Sequence, residues 1–376
     1  VDYIELIRRN AEGLDIRNEG ILINVTLKKG AENAKSTFAE VKFDYTRQGQ
    51  LRPEGLVSHN GKSGNLEYGV SYQLDRSQRI HNVAEDILSS NFIKEGYRFL
   101  VNDKKDHKNI FTGNLGYNFQ NGDQVRLNGL YSKASDDEFY IEDQFLVALG
   151  GGRVFTGVEE FIKEEAETNW EIGGDYQGDF GELGNLKALF VINKSDNLDT
   201  ITQDQVTGNS RDRFFESVGE YALEEKIFRA SMTSTINSSQ ILEWGGEGAF
   251  NILNKDQAFN VGGSDVAIVK EDRYEAFITH SWTLNNKMFL QSSFVEEFST
   301  IFQDRLGVTN ERSFKYLKPR FEFRYDVTGK DQIRIVAERT VSQLNLSNFV
   351  AFDVETTGLN PNTDSIIEFS AYQFID

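Results

Sequence analysis

Hydrophobic and polar residues alternate in short stretches along most of the chain. Alternation with a period of two is typical of a β-strand that has one apolar and one polar face. We therefore predict that the recurring unit is a strand of about ten residues followed by a polar turn. The pattern is seen in residues 65–73 and in residues 38–45, where the apolar positions are Ala39, Val41, Phe43 and Tyr45.

Turn residues between alternating stretches predict β-hairpins. The clearest hairpin has Asn121-Gly122-Asp123 between residues 111–119 and 125–131. Asn and Gly tolerate a positive φ, which tight hairpin turns require. Two further turns are predicted at residues 181–184 and 328–330.

Two longer stretches, residues 132–168 and 193–214, interrupt this pattern, and we predict long loops there. Val158, Phe161 and Ile162 have the spacing of a short amphipathic helix within the first loop. Short turns would then lie on one rim of the sheet and long loops on the other, as in outer-membrane barrels.

Alternation alone leaves two architectures open, a soluble β-sandwich and a β-barrel. Several charged residues lie in the middle of predicted polar faces, where a sandwich would have a packed interior. A lumen filled with water or with a plug accommodates such charges, so they favour the barrel. These charged residues are Glu171, Asp175, Arg320, Glu322 and Arg324.

Composition supports an all-β chain. The 376 residues include 29 Phe and 14 Tyr, which favour strands, and 32 Gly, which favour turns, but only 3 Pro. Mean hydropathy is −0.48, and no apolar run approaches the ~20 residues of a transmembrane helix. A helical membrane protein is therefore excluded.

Charge and reactive residues exclude several function classes. The net charge of −19 argues against a nucleic-acid partner, because phosphate binding requires clustered Lys and Arg. The chain has no Cys and hence no disulfide, thiol nucleophile or Cys-bound metal. Its four His residues form no metal-binding motif. We predict no catalytic residue, no metal site and no cofactor.

Residues 1–29 resemble the end of the plug domain of TonB-dependent outer-membrane receptors. In that family a Val-x-x-Ile-Glu-x-x-Arg segment leads through a glycine-rich stretch to a Gly-x-x-x-Asn-Val strand and a Lys-rich junction. Arg9-Asn10 stand where the family usually has Gly-Pro, and Asp15-Ile16 replace its Tyr-Gly. The matching positions are Val1, Ile4, Glu5, Arg8, Gly20, Asn24, Val25, Lys28 and Lys29. Residues 51–55, 316–320 with 324–326, and 338–344 are also similar to one branch of this family.

The resemblance implies an antiparallel transmembrane β-barrel of 22 strands, of which this chain would supply about 14. Residues 1–30 would be the end of the plug, and residues 31–376 an incomplete barrel with long extracellular loops. The implied function is energised uptake of a scarce solute across the Gram-negative outer membrane. The solute would be an iron chelate (a siderophore-like ligand), a vitamin or a glycan, and the partners a TonB-type protein and outer-membrane lipid. Glu5 and Arg8 would anchor the plug to the barrel wall.

Residues 349–376 resemble a different family. Their Phe-Asp-Val-Glu-Thr-Thr-Gly-Leu segment is similar to the first motif of DEDD-type 3′–5′ exonucleases, in which Asp and Glu bind two metal ions. The corresponding residues are Asp353 and Glu355, and Glu368 also fits that family. Too few residues follow Glu368 to complete the site. An exonuclease start and a soluble secreted β-sandwich binding protein remain as alternatives, and no enzyme activity is expected.

Overall fold

The computed structural model describes residues 33–341 apart from 47–48, 149 and 329–330. It also describes the backbone of two pairs of short strands. The first pair is β1 (Tyr3–Arg8) and β2 (Ile21–Thr26), which are antiparallel to each other. The second pair is β16 (Asp353–Thr356) and β17 (Ile366–Ser370), also antiparallel.

The described part of the chain is all-β, as predicted, and forms one antiparallel sheet of 13 strands. Each strand pairs with the strands that precede and follow it in sequence, so the order in the sheet is the order in the chain. The strands are β3 (Lys35–Tyr45), β4 (Leu51–Ser63), β5 (Leu66–Leu88), β6 (Lys94–Asn118), β7 (Gln124–Val147), β8 (Arg153–Asp179), β9 (Asn185–Thr207), β10 (Ser210–Asn237), β11 (Gln240–Phe259), β12 (Gly263–Asn285), β13 (Met288–Arg305), β14 (Val308–Asp326) and β15 (Gln332–Glu338).

The sheet is not closed. Strands β3 and β15 are its two edges, and they do not pair with each other in the described residues. No helix in this part of the chain is long and apolar enough to span a membrane. The helical content here is a single 3-10 turn, Gly181–Leu183, between β8 and β9.

Two of the three predicted turns are confirmed. Between β6 and β7, the amide of Phe119 donates to the carbonyl oxygen of Asp123 at 2.8 Å, and Gly122 has a φ of 94°. Between β8 and β9, the amide of Phe180 donates to the carbonyl oxygen of Gly184 at 2.8 Å. The third turn includes residues 329–330, which lie outside the described residues.

The prediction of long loops is wrong. Residues 132–168 contain the second half of β7 and the first half of β8, joined by a short turn that ends at Gly152. Residues 193–214 likewise lie in β9 and β10 and the turn between them. Polar and charged side chains on both faces hid these strand extensions, because strand patterns are recognised by one apolar face.

The prediction of a short helix is also wrong. Val158, Phe161 and Ile162 all lie in β8. Phe161 is opposite Tyr140 of β7, and Ile162 is opposite Thr202 of β9. Backbone pairing on both sides therefore overrides a local spacing that suits a helix.

The pairing register sorts the side chains onto two faces. The apolar face contains Leu115 and Tyr117 of β6, and the residues in register with them carry this face across the sheet. Most of the exposed large hydrophobic side chains lie on it, including Val70, Phe111, Leu127, Ile172, Phe228, Trp244, Tyr274, Phe294, Phe321 and Ile335. The polar face contains Arg126, Asp175 and the residues in register with those. The described sheet is thus a single layer with two chemically different surfaces.

The turn after β8 lies in close contact with β10 at Gly184. Gly184 has a φ of 107°, and a Cβ there would collide with the carbonyl oxygen of Thr233 on β10. Gly122 has a φ of 94°, but nothing lies within 4 Å of its Cβ position. We expect Gly122→Ala to lower the free energy of unfolding by about 1 kcal/mol, and Gly184→Ala by about 2 kcal/mol or more. Urea unfolding measures both, and equal effects would contradict the close approach of Gly184 to β10.

Candidate functional site

A continuous chain of ion pairs crosses the polar face from β10 to β14. We call it the charge ladder. Its members alternate in sign from one to the next, so the group has no net charge at neutral pH. In the order of their contacts they are Arg229, Glu247, Arg273, Glu275, Lys318 and Glu297.

The contacts within the charge ladder join strands that are not all neighbours in sequence. Glu247 of β11 accepts from Arg229 Nη1 of β10 at 3.3 Å and from Arg273 Nη2 of β12 at 3.2 Å. Lys318 Nζ of β14 donates to Glu275 of β12 at 2.6 Å and to Glu297 of β13 at 2.7 Å. The ladder therefore ties five strands together through side chains, in addition to their backbone pairing.

Burial makes the charge ladder more than a set of surface ion pairs. The side chains of its members are between 7% and 16% exposed. At this depth each charge has lost most of its water, so it depends on its partners for solvation. Removing one member leaves its neighbours uncompensated, which costs far more than breaking an exposed pair.

A second group on the polar face centres on Glu322, which was singled out from the sequence together with Arg320. Glu322 accepts from Arg334 Nε of β15 at 2.6 Å and also from Arg320 on its own strand. Arg320 also donates to Glu338 of β15 at 3.0 Å and to Gln291 of β13 at 3.0 Å. The structure thus brings together two of the predicted polar-face charges and extends them to the edge strand.

The other charged residues predicted on the polar face are more dispersed. Asp175 pairs with Arg126 of β7 at 3.2 Å. Arg324 lies 3.9 Å from Asp326 on its own strand. Glu171 is opposite Leu130 of β7 and Asn193 of β9. None of these residues belongs to the charge ladder.

A separate acidic pair lies on the polar face, close to the turn between β7 and β8. Glu142 of β7 and Glu159 of β8 are directly opposite each other. Glu142, only 3% exposed, accepts from Tyr140 Oη at 2.7 Å and lies 3.3 Å from Arg98 Nε. Glu159 accepts from Gln144 Nε2 at 3.3 Å. Burial and, to a lesser degree, the charge of Glu142 raise the pKa of Glu159.

The residues singled out from the two family resemblances lie on the short strand pairs. Glu5 is opposite Asn24, and Arg8 is opposite Ile21, in the β1–β2 pair. Glu355 is opposite Glu368, and Asp353 opposite Ser370, in the β16–β17 pair. All of these side chains lie outside the described residues, so anchoring by Glu5 and Arg8 stays a prediction.

No member of the charge ladder was predicted from the sequence. Arg229, Glu247, Arg273 and Glu275 each occupy a polar position within an alternating stretch, which was the only signal available. Their partners are on other strands, and those contacts depend on the register. Among the described residues, no three or more His, Asp and Glu side chains are arranged to hold a metal ion.

Comparisons with protein-family models and with curated proteins were used to look for relatives of this chain. No protein-family model matches the chain, and no curated protein is similar to it at a significant level. The similarity to TonB-dependent receptors therefore rests on the motifs given above.

Lys318 is the best test of the charge ladder, because Lys315 of the same strand is a matched control. Lys318 is 11% exposed and bridges two carboxylates, whereas Lys315 is 64% exposed and pairs with Glu296 on the apolar face. We expect Lys318→Met to lower the free energy of unfolding by about 3 kcal/mol, and Lys315→Met by less than about 1 kcal/mol. Chemical denaturation measures both, and similar losses would show that the ladder is not a stabilising network.

The raised pKa of Glu159 predicts how the free energy of unfolding depends on pH. Its pKa is raised, so the folded state holds the proton more tightly than the unfolded state does. Its unfavourable contribution is absent below the ordinary pKa of Glu and grows as the pH rises through the folded pKa. We expect Glu159→Gln to raise the free energy of unfolding at pH 7 by about 0.5–1 kcal/mol, because it removes a partly buried charge and its repulsion from Glu142. At pH 3 the substitution should have no effect.

Glu165 of the same strand is the control for this experiment. Hydrogen bonds from Lys163 and Asn197 lower its pKa, so its carboxylate stabilises the fold above the ordinary pKa of Glu. Glu165→Gln should therefore destabilise the protein at pH 7, with a difference that fades as the pH falls. If both variants changed the free energy of unfolding at pH 7 in the same direction, the opposite pKa shifts of Glu159 and Glu165 would be contradicted.

Proposed function

We propose that the chain is part of an outer-membrane β-barrel of the TonB-dependent receptor type, which takes up a scarce solute. The observation that carries the proposal is the pair of faces on a single-layer sheet. One face exposes apolar side chains on strand after strand, and the other holds paired, largely buried charges. A membrane barrel has this division, with lipid outside and a polar lumen inside.

The apolar face has the dimensions of a membrane strand. On β6 and the turn after it, exposed apolar side chains run from Phe111 to Phe119. Residues 111–119 match the roughly 9–11 residues that a tilted transmembrane β-strand requires. The three tryptophans of the chain, Trp170, Trp244 and Trp282, are all in register with this face, and Trp favours membrane interfaces.

The polar face suits the wall of a lumen. A sandwich would pack a second sheet about 10 Å from it and exclude water. The charge ladder instead presents alternating carboxylates, guanidinium groups and an ammonium group, which a solute or a plug can contact by hydrogen bonds. The strictly sequential strand order is that of an up-and-down barrel wall, whereas sandwiches connect their two sheets by Greek-key crossings.

Uptake of an iron chelate, vitamin or glycan then follows from the resemblance of residues 1–29 to a plug. In this proposal Glu5 and Arg8 hold the plug against charges of the lumen wall until a TonB-type protein pulls. The polar face is neutral along the charge ladder, so the plug would exchange one set of ion pairs for another as it moves. Such an exchange requires less energy than exposing unpaired buried charges.

Phe228 and Ile227 of β10 give a matched test of the membrane orientation. They are adjacent in sequence and lie on opposite faces, since Phe228 is in register with Phe190 and Ile227 with Val191. Each is replaced by Trp in a background whose three tryptophans are changed to Phe. In phosphatidylcholine vesicles, lipids with brominated acyl chains should quench Phe228→Trp strongly and Ile227→Trp weakly. Aqueous acrylamide should give the opposite order.

Equal quenching of the two reporters by brominated lipid would contradict the proposed orientation. The electrophoretic mobility of the purified protein is an independent check, because folded membrane barrels migrate differently before and after boiling. A chain that stays in solution without detergent and has one mobility under both conditions would instead be a soluble β-protein.

A further inference from the structure

An aromatic row crosses the apolar face where polar side chains begin to interrupt it. Tyr72 of β5, Phe111 of β6, Tyr131 of β7 and Trp170 of β8 are successive partners in the register. We call these four residues the aromatic row. The rings of Tyr72 and Phe111 are 4.6 Å apart. Toward the turn after β6 the same face has Leu115 and Leu127, and in the other direction polar side chains alternate with apolar ones.

Three positively charged side chains and one histidine lie just beyond the aromatic row. The next position on this face is occupied by Leu74 on β5, Asn109 on β6 and Lys133 on β7. The one after it is occupied by Arg76 on β5 and His107 on β6. Arg52 of β4 joins them, because its Nη1 lies 3.2 Å from His107 Nε2. We call Arg52, Arg76, His107 and Lys133 the basic cluster.

The two arginines of the basic cluster have uncharged partners in their hydrogen bonds. Arg52 donates from Nε and Nη2 to Gln78 Oε1, at 3.2 and 3.0 Å. Arg76 donates to the carbonyl oxygens of Asp75 and Lys108, at 2.8 and 3.2 Å, and from Nη2 to Asn109 Oδ1 at 3.3 Å. Their positive charge is therefore held in place by neutral groups, unlike the charge of the arginines in the charge ladder.

The pKa of His107 is consistent with a positive electrostatic field around the two arginines. Burial is the largest cause of its lowered pKa, followed by the charges of Arg76 and Arg52. Its ring is therefore neutral at pH 7 and accepts the hydrogen bond from Arg52 at Nε2. Carboxylates return farther along the same face, where Asp137 is opposite Lys105. The positive field is thus confined to a narrow zone beside the aromatic row.

We propose that the basic cluster binds the phosphate group of an anionic membrane lipid, whose acyl chains lie against the apolar face beside the aromatic row. The proposal rests on the proposed membrane function. Aromatic side chains favour the interface, and basic side chains just beyond it attract anionic headgroups. The charges of Arg52 and Arg76 both act on His107, so two positive charges lie near one point, and their attraction for an anionic headgroup adds.

Native mass spectrometry of the detergent-solubilised full chain tests this assignment. The probes are phosphatidylglycerol, phosphatidylcholine and the soluble headgroup analogue glycerol phosphate. We expect Arg76→Gln to weaken phosphatidylglycerol binding about fivefold, the fold-change that corresponds to ~1 kcal/mol for each basic side chain at an anionic surface. Arg52→Gln/Arg76→Gln should weaken it on the order of 20-fold, and Arg52→Lys/Arg76→Lys should retain most of the binding.

Lys187→Gln is the charge-matched control, because Lys187 is in register with Gln177 and Ser231 on the polar face. It should leave phosphatidylglycerol binding unchanged. The proposal is overturned if Arg76→Gln and Lys187→Gln have the same effect, or if phosphatidylcholine binds as tightly as phosphatidylglycerol. It is also overturned if glycerol phosphate competes at equal concentration, because the site would then bind free phosphate.

The tryptophan quenching experiment distinguishes a failure of the lipid headgroup site from a failure of the proposed membrane barrel. If the Phe228→Trp reporter contacts lipid and Arg76→Gln has no effect on lipid binding, only the headgroup site fails. If the Phe228→Trp reporter does not contact lipid, both proposals fail. Circular dichroism of each variant checks that the sheet is intact, so that weak binding is not a consequence of unfolding.

Discussion

Backbone pairing between consecutive strands is the constraint on which the rest of the described structure depends. In a single-layer sheet, the register alone decides which side chains share a face, because neighbouring residues point in opposite directions. A shift of one residue between β12 and β13 would move Glu297 to the apolar face and Phe298 to the polar face. The register therefore fixes both surfaces at once.

The two faces also stabilise each other's arrangement. Charges on the polar face are partnered across several strands, so a strand that slips loses ion pairs as well as backbone hydrogen bonds. Lys318, for example, contacts carboxylates on β12 and β13 from its position on β14. The apolar face provides no comparable directional contacts, since packing of exposed apolar side chains is non-directional. The polar face therefore adds directional contacts to the register that the apolar pattern already favours.

Part of this arrangement could be predicted from the sequence. Clean alternation in residues 65–73 and 111–131 predicted strands and a hairpin, because one face there is almost wholly apolar. The outer halves of β7 and β8 were not predicted, because Asp136, Asp137, Glu164 and Glu165 place charge on both faces. The charge ladder could not be found either, since Glu275 and Lys318 are 43 positions apart and meet only through the register of β12, β13 and β14.

The odd number of strands in the described sheet restricts how its two edges can be joined. Directions alternate along an antiparallel sheet, so with 13 strands the edge strands β3 and β15 run the same way. Bringing them together directly would create a parallel pair, the arrangement of barrels with an odd strand count. Closure by antiparallel pairing alone requires an odd number of additional strands. A finished ring of this kind has an even count, as in the 22-stranded barrels implied by the resemblance.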